Sequence, residues 1–288
     1  MVVQKMKQII KNWILPPAIT KALVGNKIKN VPPPPSLPKN EEIEQTRVVK
    51  NRHVGKRCFI LGAGSSIKQQ DIKKLAGEYV ISVSNTFVHP DFGLIKPQYH
   101  ALSHIIAGHS HLYTEEKFVE WLKEMDNKLF EAEMFMHYGD KQLIEDNKIF
   151  EKRKIYWVEY VHWNEKINPP IDPARIPKIW SVSELAVTMA IYMGFDKIYL
   201  LGVDHDWFNG PMVYFYDKKT EHKVQPKDED LTYVDSEYQM RRHAYIFKKY
   251  KYLYSIKKNI YNANANPNTY VDVFPKVDYD SLFNERVK

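Results

Sequence analysis

The amino-acid sequence predicts an α/β fold with a mostly parallel sheet and helices on both faces of that sheet. Three observations predict it. From residue 56 onward, short apolar runs of strand length alternate with longer segments of helical periodicity. The first apolar run leads into a glycine-containing turn, Gly62 to Ser66. A later run, Lys197 to Leu201, follows a helical segment that ends at Gly194 and leads directly into Gly202.

Each element follows from its local pattern. Strands are predicted where short apolar runs are bounded by polar or turn residues, at 57–61, 79–83, 134–137, 155–158, 197–201 and 259–261. Helices are predicted where apolar side chains share a face, at about 69–75, 114–130, 181–193 and 236–255. Thr114 is the expected cap of the second of these helices, and Ser181 with Glu184 forms a capping box at the start of the third.

Composition limits the class of protein. The chain has 288 residues, of which 44% are hydrophobic and 13% aromatic, enough for one well-buried domain with an appendage. Cys58 is the single cysteine, which excludes an intrachain disulfide and suits a reducing compartment. No apolar run approaches the 18 or so residues of a spanning helix, and lysines interrupt the N-terminal residues that a signal peptide would need. A cytoplasmic protein is therefore expected.

The net charge of +7 favours an anionic partner, such as a nucleotide phosphate, a nucleic acid or an anionic membrane surface. Lysines and arginines are spread along the chain, and no nucleic-acid-binding motif is present. A nucleotide or a lipid surface is therefore expected, and nucleic acid is not.

The chain is predicted to have three parts. Residues 1–25 form a basic amphipathic segment, residues 26–55 a linker that contains Pro32 to Pro35, and residues 56–288 the catalytic domain. The amphipathic segment either inserts Trp13 and its apolar neighbours at the inner face of a membrane or packs on protein, and the sequence leaves both readings open. Whether the chain forms a homo-oligomer is left open in the same way.

The turn from Gly62 to Ser66 is the first candidate for ligand binding. Two glycines allow close approach of the backbone to a ligand, and a following helix N-terminus favours an anion. The turn is neither a P-loop nor a complete dinucleotide-binding fingerprint, and a tight connection without a ligand is an alternative. Asn85, directly after the second strand, would contact a ribose or a base, or else serve the turn.

The residues after the strand at 197–201 are the second candidate. Asp204 and Asp206 have the spacing of carboxylates that hold a cation against a diphosphate, and His205 between them is a candidate acid or base. The alternative is that Asp204 only caps a loop. A polar stretch, about 205–240, is predicted to be a lid over this site and includes Tyr214.

Other histidines and arginines give weaker signals. Their spacing matches no zinc site, so the group His100, His104, His109 and His111 is interpreted as histidines scattered on a loop. Near the start of the last helix, Arg241 and Arg242 either neutralise a phosphate or form a solvated basic face. His243 is a candidate general base.

Three blocks of this sequence together resemble the compact bacterial sialyltransferases. They are CFILGAGSSI at 58–67, VISVSN at 80–85 and GFDKIYLLGVD at 194–204. The resemblance extends to the flagellin-modifying motility accessory factors and the archaeal 6-hydroxymethylpterin diphosphokinase, and it covers roughly 56–275. It implies a Rossmann-like domain with a partly flexible lid, which uses CMP-sialic acid and needs no metal.

The resemblance also implies roles for individual residues. His243 is the nearest match to the family's general base on the lid, with Asp204 at the family's aspartate. The sequence departs from the family at Ala63, where the family has Asn, and at Asp206, where it has a tyrosine that holds the leaving phosphate. The residues expected at the nucleotide are Gly62, Ala63, Gly64, Ser65, Ser66, Asn85, Ser103, Ser181, Ser183, Gly202 and Tyr214.

The expected function is therefore glycosyl transfer in the biosynthesis of a surface glycan or lipopolysaccharide. A CMP donor, expected to carry a sialic-acid-like ulosonic acid, would give its sugar to a hydroxyl of a glycan or glycolipid, with His243 or His205 as the base. A diphosphate donor would instead require Mg or Mn at Asp204 and Asp206, because an aspartate cannot neutralise a phosphate directly. The alternatives are a Mg-dependent diphosphokinase of the 6-hydroxymethylpterin type and a non-catalytic partner in polysaccharide assembly.

Overall fold

The computed structural model describes residues 40–104, 115–163, 170–206, 214–216, 236–266, 269 and 271–287. The amphipathic segment predicted for 1–25, the first part of the linker and most of the predicted lid lie outside the described residues. Among the described residues, no helix is both long enough and apolar enough to cross a membrane.

The described residues contain a seven-stranded sheet in which every pair of neighbouring strands is parallel. This Rossmann-like α/β fold confirms the predicted fold class. The strands of this sheet are β1 (Arg57–Leu61), β2 (Tyr79–Val83), β3 (Tyr99–Ala101), β4 (Glu133–His137), β5 (Ile155–Val158), β8 (Lys197–Leu201) and β9 (Ile260–Asn262). A small second sheet pairs β6 (Tyr160–Val161) with β7 (Ile176–Pro177).

The strand order is β5-β4-β3-β2-β1-β8-β9. The chain therefore builds the sheet outward from β1 to β5, crosses back, and adds β8 and β9 on the other side of β1. The order reverses between β1 and β8, which makes the carboxyl ends of these two strands the topological switch point of the sheet. Open α/β sheets bind ligands at this kind of switch point.

Six helices flank or extend the sheet in the described part of the chain. They are α1 (Glu41–Gln45), α2 (Phe92–Ile95), α3 (Glu115–Lys128), α4 (Lys141–Asp146), α5 (Val182–Tyr192) and α6 (Ser236–Ile256). The predictions for α5 and α6 are confirmed within one residue at each end. The predicted cap of α3, Thr114, lies outside the described residues.

Alternation along the strands sends apolar side chains to both faces of the sheet. Cys58 and Ile60 of β1 pack in one core with α5 and α6. Phe59 and Leu61 point to the opposite face, where they pack with 3₁₀ turns and the C-terminal residue Tyr279. A third cluster joins β4 to α3 on that second face. Because both faces are covered, the strands are buried along almost their whole length, which is typical of a parallel sheet.

The prediction of a helix at about 69–75 is wrong, because the structure has two short 3₁₀ turns there, Ser65–Gln69 and Ile72–Leu75. Gln70 between them has extended backbone angles, and its side-chain amide donates to the carbonyl of Ala263 at 2.7 Å. Asp71 then caps the second turn by accepting from the Lys73 N–H at 3.2 Å. The competing cap and the bond to β9's loop break the helix that periodicity predicted.

Residues 40–55 belong to the folded body, although the sequence analysis placed them in the linker. Asn40 caps α1 by accepting from the Glu42 N–H at 3.0 Å. The Thr46 hydroxyl donates to the carbonyl of Trp157 at 2.7 Å, and the Asn51 N–H donates to the carbonyl of Tyr192 at 3.1 Å. The compact unit that contains the sheet accordingly begins at Asn40.

Candidate functional site

The turns after β1 and β8 meet at the switch point. The Gly62 N–H donates to the carbonyl of Leu201 at 2.7 Å, and the Gly64 N–H donates to the carbonyl of Gly202 at 2.8 Å. The ladder between β1 and β8 therefore continues past both strand ends. The predicted nucleotide turn and the predicted Asp204 loop, 138 residues apart in sequence, form one structure.

Glycine is required in both turns because their backbones touch. A Cβ atom on Gly62 would lie 2.3 Å from the carbonyl oxygen of Gly202. Gly202 itself has φ +62°, and a Cβ there would lie 2.5 Å from the carbonyl oxygen of Gly62. These glycines were expected to allow close approach of a ligand. The observed close approach is between the two turns, and the N–H groups of Gly62 and Gly64 are used within the protein.

Asp204 ties the two turns together. Its side chain is 4% exposed, and Oδ2 accepts from the Ser66 N–H at 3.0 Å. Oδ1 is buried and accepts no hydrogen bond from any residue that the structure describes. Burial raises the pKa of the Asp204 carboxyl above its usual range, and the nearby charge of Asp206 acts in the same direction. One carboxylate oxygen is therefore held for a ligand, a water molecule, a proton or a cation.

The loop after β9 is hydrogen-bonded to the Asp204 loop. Asn264 accepts from the N–H of Val203 at 3.0 Å and donates to its carbonyl at 2.9 Å. The Thr269 hydroxyl donates to the carbonyl of Asp204 at 2.9 Å. The Asn266 amide donates to Asp206 Oδ2 at 3.5 Å. These bonds hold the backbone of the loop that presents both aspartates.

An aromatic segment, Tyr214–Tyr216, covers the turn after β1. Tyr214 forms an isolated bridge with Gly64, and the Phe215 N–H donates to the carbonyl of Ala63 at 3.2 Å. The rings of Tyr214 and Tyr216 stack with centroids 5.1 Å apart. The structure thus brings the predicted Tyr214 directly to the predicted nucleotide turn.

Asn85 lies at the carboxyl end of β2, next to that turn. It is 1% exposed, and its Oδ1 accepts from the indole N–H of Trp121 at 2.7 Å. The preceding residue, Ser84, has φ +52°, a left-handed conformation that non-glycine residues adopt at some cost. The strand end is thus held in an unusual backbone geometry that directs the Asn85 side chain toward α3.

The N-terminus of α5 carries a cluster of hydroxyl groups and one imidazole. Ser183 Oγ lies 2.7 Å from Ser181 Oγ and 2.8 Å from the Tyr250 hydroxyl. His205 Nε2 lies 3.0 Å from the same tyrosine hydroxyl and 3.4 Å from Ser183 Oγ. α6 therefore contributes Tyr250 to a site whose other members come from α5 and from the loop after β8.

His205 is placed poorly for the role of base that the sequence analysis gave it. Its side chain is 5% exposed, and its Nε2 is engaged by Tyr250 and Ser183. Burial lowers the pKa of His205 to about 3, so the ring is neutral at physiological pH and a weak base. Its φ of +48° shows that this position is held in a strained conformation.

His243 lies close to this cluster, with its ring centroid 6.4 Å from that of His205. It is 7% exposed, and burial lowers its pKa, so a neutral imidazole is expected at physiological pH. Its neighbour Arg242 does not form a solvated basic face. The Arg242 guanidinium donates to the carbonyl of Trp180, from Nη2 at 3.0 Å and from Nε at 3.2 Å, just before α5.

Beneath the serines, a buried carboxylate holds the start of α5. Glu184 is fully buried, and its Oε2 accepts from the N–H groups of Trp180 and Ser181, each at 2.7 Å. Lys249, also fully buried, donates to the carbonyls of Pro177 and Lys178. Burial lowers the pKa of Lys249 to about 8, and the charge of Glu184 opposes that shift. Glu184, the acidic residue of the predicted capping box, is therefore also a buried carboxyl group next to the site.

Most of the predicted site residues meet at the carboxyl edge of β2, β1 and β8. Ser103, after β3, is exposed and has no described contact with that group. The sequence did not predict Tyr250, Asn264 or Thr269 as site residues. No local pattern distinguishes Tyr250 from the other tyrosines of α6, and the roles of Asn264 and Thr269 depend on their bonds to the Asp204 loop. In the described part of the chain, no three His, Cys, Asp or Glu side chains form a group that could hold a metal ion.

No protein-family model matches this sequence. A search of curated proteins likewise finds no match at a significant level. The site is therefore interpreted from its geometry and from the sequence resemblance described above.

Proposed function

We propose that this chain is a glycosyltransferase that moves a sugar from a CMP-activated donor to a hydroxyl group of a glycan. One observation carries the proposal. The three blocks that resemble the compact bacterial sialyltransferases lie side by side at the switch point, and Asp204 of the third block bonds Ser66 of the first at 3.0 Å. Three segments that are far apart in the sequence thus meet at the position where α/β sheets bind nucleotides.

The side chains at the switch point fit a nucleotide better than they fit a free anion. Asn85 is an amide of the kind that pairs with a base or a ribose, and Tyr214 offers a ring and a hydroxyl. Ser181 and Ser183 place hydroxyls at the N-terminus of the 11-residue helix α5, where a phosphate is favoured. The buried amides of Gly62 and Gly64 do not take part, so side chains hold the ligand.

The transfer reaction needs a base that removes a proton from the acceptor hydroxyl and is therefore neutral at the working pH. Burial lowers the pKa of His243, so its imidazole is neutral there, whereas His205, with a pKa of about 3, is too weak a base for this step. The donor sugar is proposed to be an ulosonic acid such as sialic acid, as the resemblance implies. A cytoplasmic location at the inner face of a membrane, with a glycolipid acceptor, is part of the same proposal.

A second candidate function is favoured by Asp204 Oδ1. This buried oxygen and the Asp206 carboxylate two residues later could share a divalent cation, with phosphates and water completing its coordination. Mg at this position would suit a diphosphate-sugar donor or a diphosphokinase that uses ATP. Both carboxylates would then contact the cation rather than the sugar.

A thermal-shift panel separates these candidates. CMP, CDP, UDP, GDP and ATP are each added with and without Mg, and a ligand that binds the folded state raises Tm by mass action. The proposal expects CMP or CDP to raise Tm without Mg. A rise in Tm with ATP and Mg alone would favour the diphosphokinase. A rise with UDP or GDP and Mg would replace the proposed CMP donor by a diphosphate-sugar donor. No rise with any nucleotide would contradict the proposal.

A further inference from the structure

A second cluster of titratable groups lies along the same edge of the sheet, at the ends of β3, β4 and β5. His104 follows β3, Asp140 follows β4, and Glu159 follows β5. His104 Nδ1 donates to Asp140 Oδ1 at 2.8 Å, and the Asp140 side chain is completely buried. His104 was expected to be one of several histidines scattered on a loop. It does lie in the loop after β3, where its hydrogen bond to Asp140 gives it a defined buried partner.

His137 lies against His104, with ring centroids 4.0 Å apart. Its Nδ1 accepts from the Gly139 N–H at 3.0 Å, so Nδ1 carries no proton. Its Nε2 donates to Glu159 Oε1 at 3.0 Å. Both nitrogens of His137 are thus used by the neutral tautomer, and burial lowers its pKa. His137 is held neutral beside His104.

The second ring nitrogen of His104 is not engaged by Asp140. In the neutral tautomer that donates Nδ1–H to Asp140, Nε2 carries the lone pair, and no residue that the structure describes bonds it. The side chain of His104 is 22% exposed, whereas His205 and His243 are each less than 9% exposed. A buried carboxylate behind one imidazole nitrogen and an open lone pair on the other is the arrangement of a general base.

Tyr160 packs against this cluster. Its ring lies 4.6 Å from that of His137. The pKa of its buried hydroxyl is raised well above the usual value by burial and by the charges of Asp140, Glu184 and Glu159. The two clusters therefore lie along the same carboxyl edge of the sheet, one after β3, β4 and β5 and the other at the start of α5 and in the loop after β8.

We propose that His104 is the general base of this site and that Asp140 is its positioning residue. The inference rests on the proposed transfer reaction. The proton of the acceptor hydroxyl moves to Nε2 of His104 while the acceptor oxygen forms a bond to the anomeric carbon of the sugar. The bond from that carbon to the phosphate oxygen breaks, and its electron pair leaves with CMP as phosphate charge. The Asp140 carboxylate stabilises the imidazolium that results.

The first test needs no substrate. Diethyl pyrocarbonate acylates the unprotonated nitrogen of histidine, and peptide mass spectrometry gives the rate at each site in the full chain. His162, which is exposed and lies in the same region, is the internal reference. We expect His104 to react faster than His162 although it is less exposed, and Asp140→Asn to remove this advantage. Slower or equal reaction at His104, or no effect of Asp140→Asn, would overturn the proposal.

The second test uses CMP-N-acetylneuraminic acid with water as the acceptor, and measures release of CMP. We expect His104→Ala to lower the rate by about 10²- to 10⁴-fold, as loss of a general base does, with partial rescue by added imidazole. His162→Ala is the matched control, His104→Gln guards against a folding defect, and the Kd for CMP is expected to stay unchanged in each variant.

The two proposals fail in different ways. If wild-type protein neither binds CMP nor releases it, the proposed function fails and the labelling result still decides whether His104 is an activated base. If wild-type protein releases CMP and His104→Ala releases it equally fast, the assignment of His104 is overturned and the transfer function stands. The same conclusion follows if His243→Ala, and not His104→Ala, abolishes the decrease in the rate of CMP release at low pH.

Discussion

Gly64 shows at the scale of one residue how the two turns depend on each other. A Cβ atom added there would lie 2.4 Å from Asp204 Oδ2 and 2.7 Å from the Gly202 carbonyl oxygen. The contact partners are a buried carboxylate and a backbone, so neither can move without loss of the bond to Ser66. The Asp204 carboxylate can therefore occupy this position only because residue 64 has no side chain.

Gly64→Ala is expected to destabilise the protein by roughly 1–3 kcal/mol, because overpacking displaces Asp204. Urea unfolding followed by circular dichroism measures the change in the free energy of unfolding. Gly93→Ala is the matched control, since its Cβ would meet only the flexible ring of Phe130 at 3.2 Å. Equal stability of both variants would contradict the close contact between the turns.

Lys249 carries a buried positive charge that interacts electrostatically with Glu184, and it donates to the carbonyls of Pro177 and Lys178. Lys249→Met would leave the Glu184 carboxylate buried without that charge and is expected to cost about 3–5 kcal/mol of unfolding free energy. Lys251→Met, at an exposed position on the same helix, is the control and is expected to change stability little. The denaturation midpoints of both variants against wild type give the result. A loss in Lys249→Met no larger than in the control would contradict the account.

At the scale of elements, α5 and α6 are joined by the hydroxyl of Tyr250. This hydroxyl lies 2.8 Å from Ser183 Oγ and 3.0 Å from His205 Nε2, and it is fully buried. One group on α6 therefore determines how the start of α5 and the loop after β8 face each other. The site depends on the packing of two helices that are distant in sequence.

Tyr250→Phe removes the hydroxyl and keeps the ring. We expect a loss of about 1–3 kcal/mol, because two buried polar groups lose a partner. Tyr254→Phe, one turn later on α6, is the matched control, since its ring packs on Phe274. Thermal unfolding of both variants tests the difference, and a Tm drop of the same size in each would show that the bonds of Tyr250 contribute nothing.

The elements also show what sequence could and could not predict. The strands β1, β2 and β8 are apolar runs, and the helix α5 has a capping box and a closing glycine, so local pattern was sufficient. β3 has only three residues, one of them the polar His100, and it is a strand because it pairs with β2 and β4. Its existence depends on partners that no local window contains.

At the scale of the whole molecule, several buried histidines make stability depend on pH. The pKa values of His100 and His205 are lowered by burial to about 3 in each case. A group of this kind binds a proton in the unfolded chain and not in the folded one at any pH between about 3 and the unfolded value near 6.5. The stability that it contributes is complete above pH 6.5 and falls as the pH decreases.

His205→Asn isolates one of these contributions, because asparagine tolerates the positive φ at this position. Each histidine of this kind lowers the free energy of unfolding by about 1.4 kcal/mol per pH unit below 6.5. Between pH 7 and pH 5, wild type is therefore expected to lose about 2 kcal/mol more than His205→Asn. Urea unfolding at both pH values measures this. Identical losses would contradict a buried, neutral His205.

The candidate site was predictable only in part. Asn85, Ser183 and Asp204 each follow or begin a recognisable element, so position along the strands identified them. Tyr250 and the pair of His104 with Asp140 carry no local signal, since the pair is brought together by the neighbouring ends of β3 and β4. Gly62 and Gly64 were expected to contact a ligand, because no local pattern shows that the backbone hydrogen bonds between β1 and β8 continue into the turns after both strands.

Calorimetric titration of CMP into wild type, Asn85→Ala and Asn259→Ala tests the central claim that the switch point binds a nucleotide. Asn85 lies at the carboxyl end of β2, and the exposed Asn259 precedes β9 at the opposite edge of the sheet. The account predicts saturable binding to wild type, binding weakened roughly tenfold by Asn85→Ala through loss of one buried hydrogen bond, and no change with Asn259→Ala. Binding that Asn85→Ala leaves unchanged, or no binding to wild type, would contradict it.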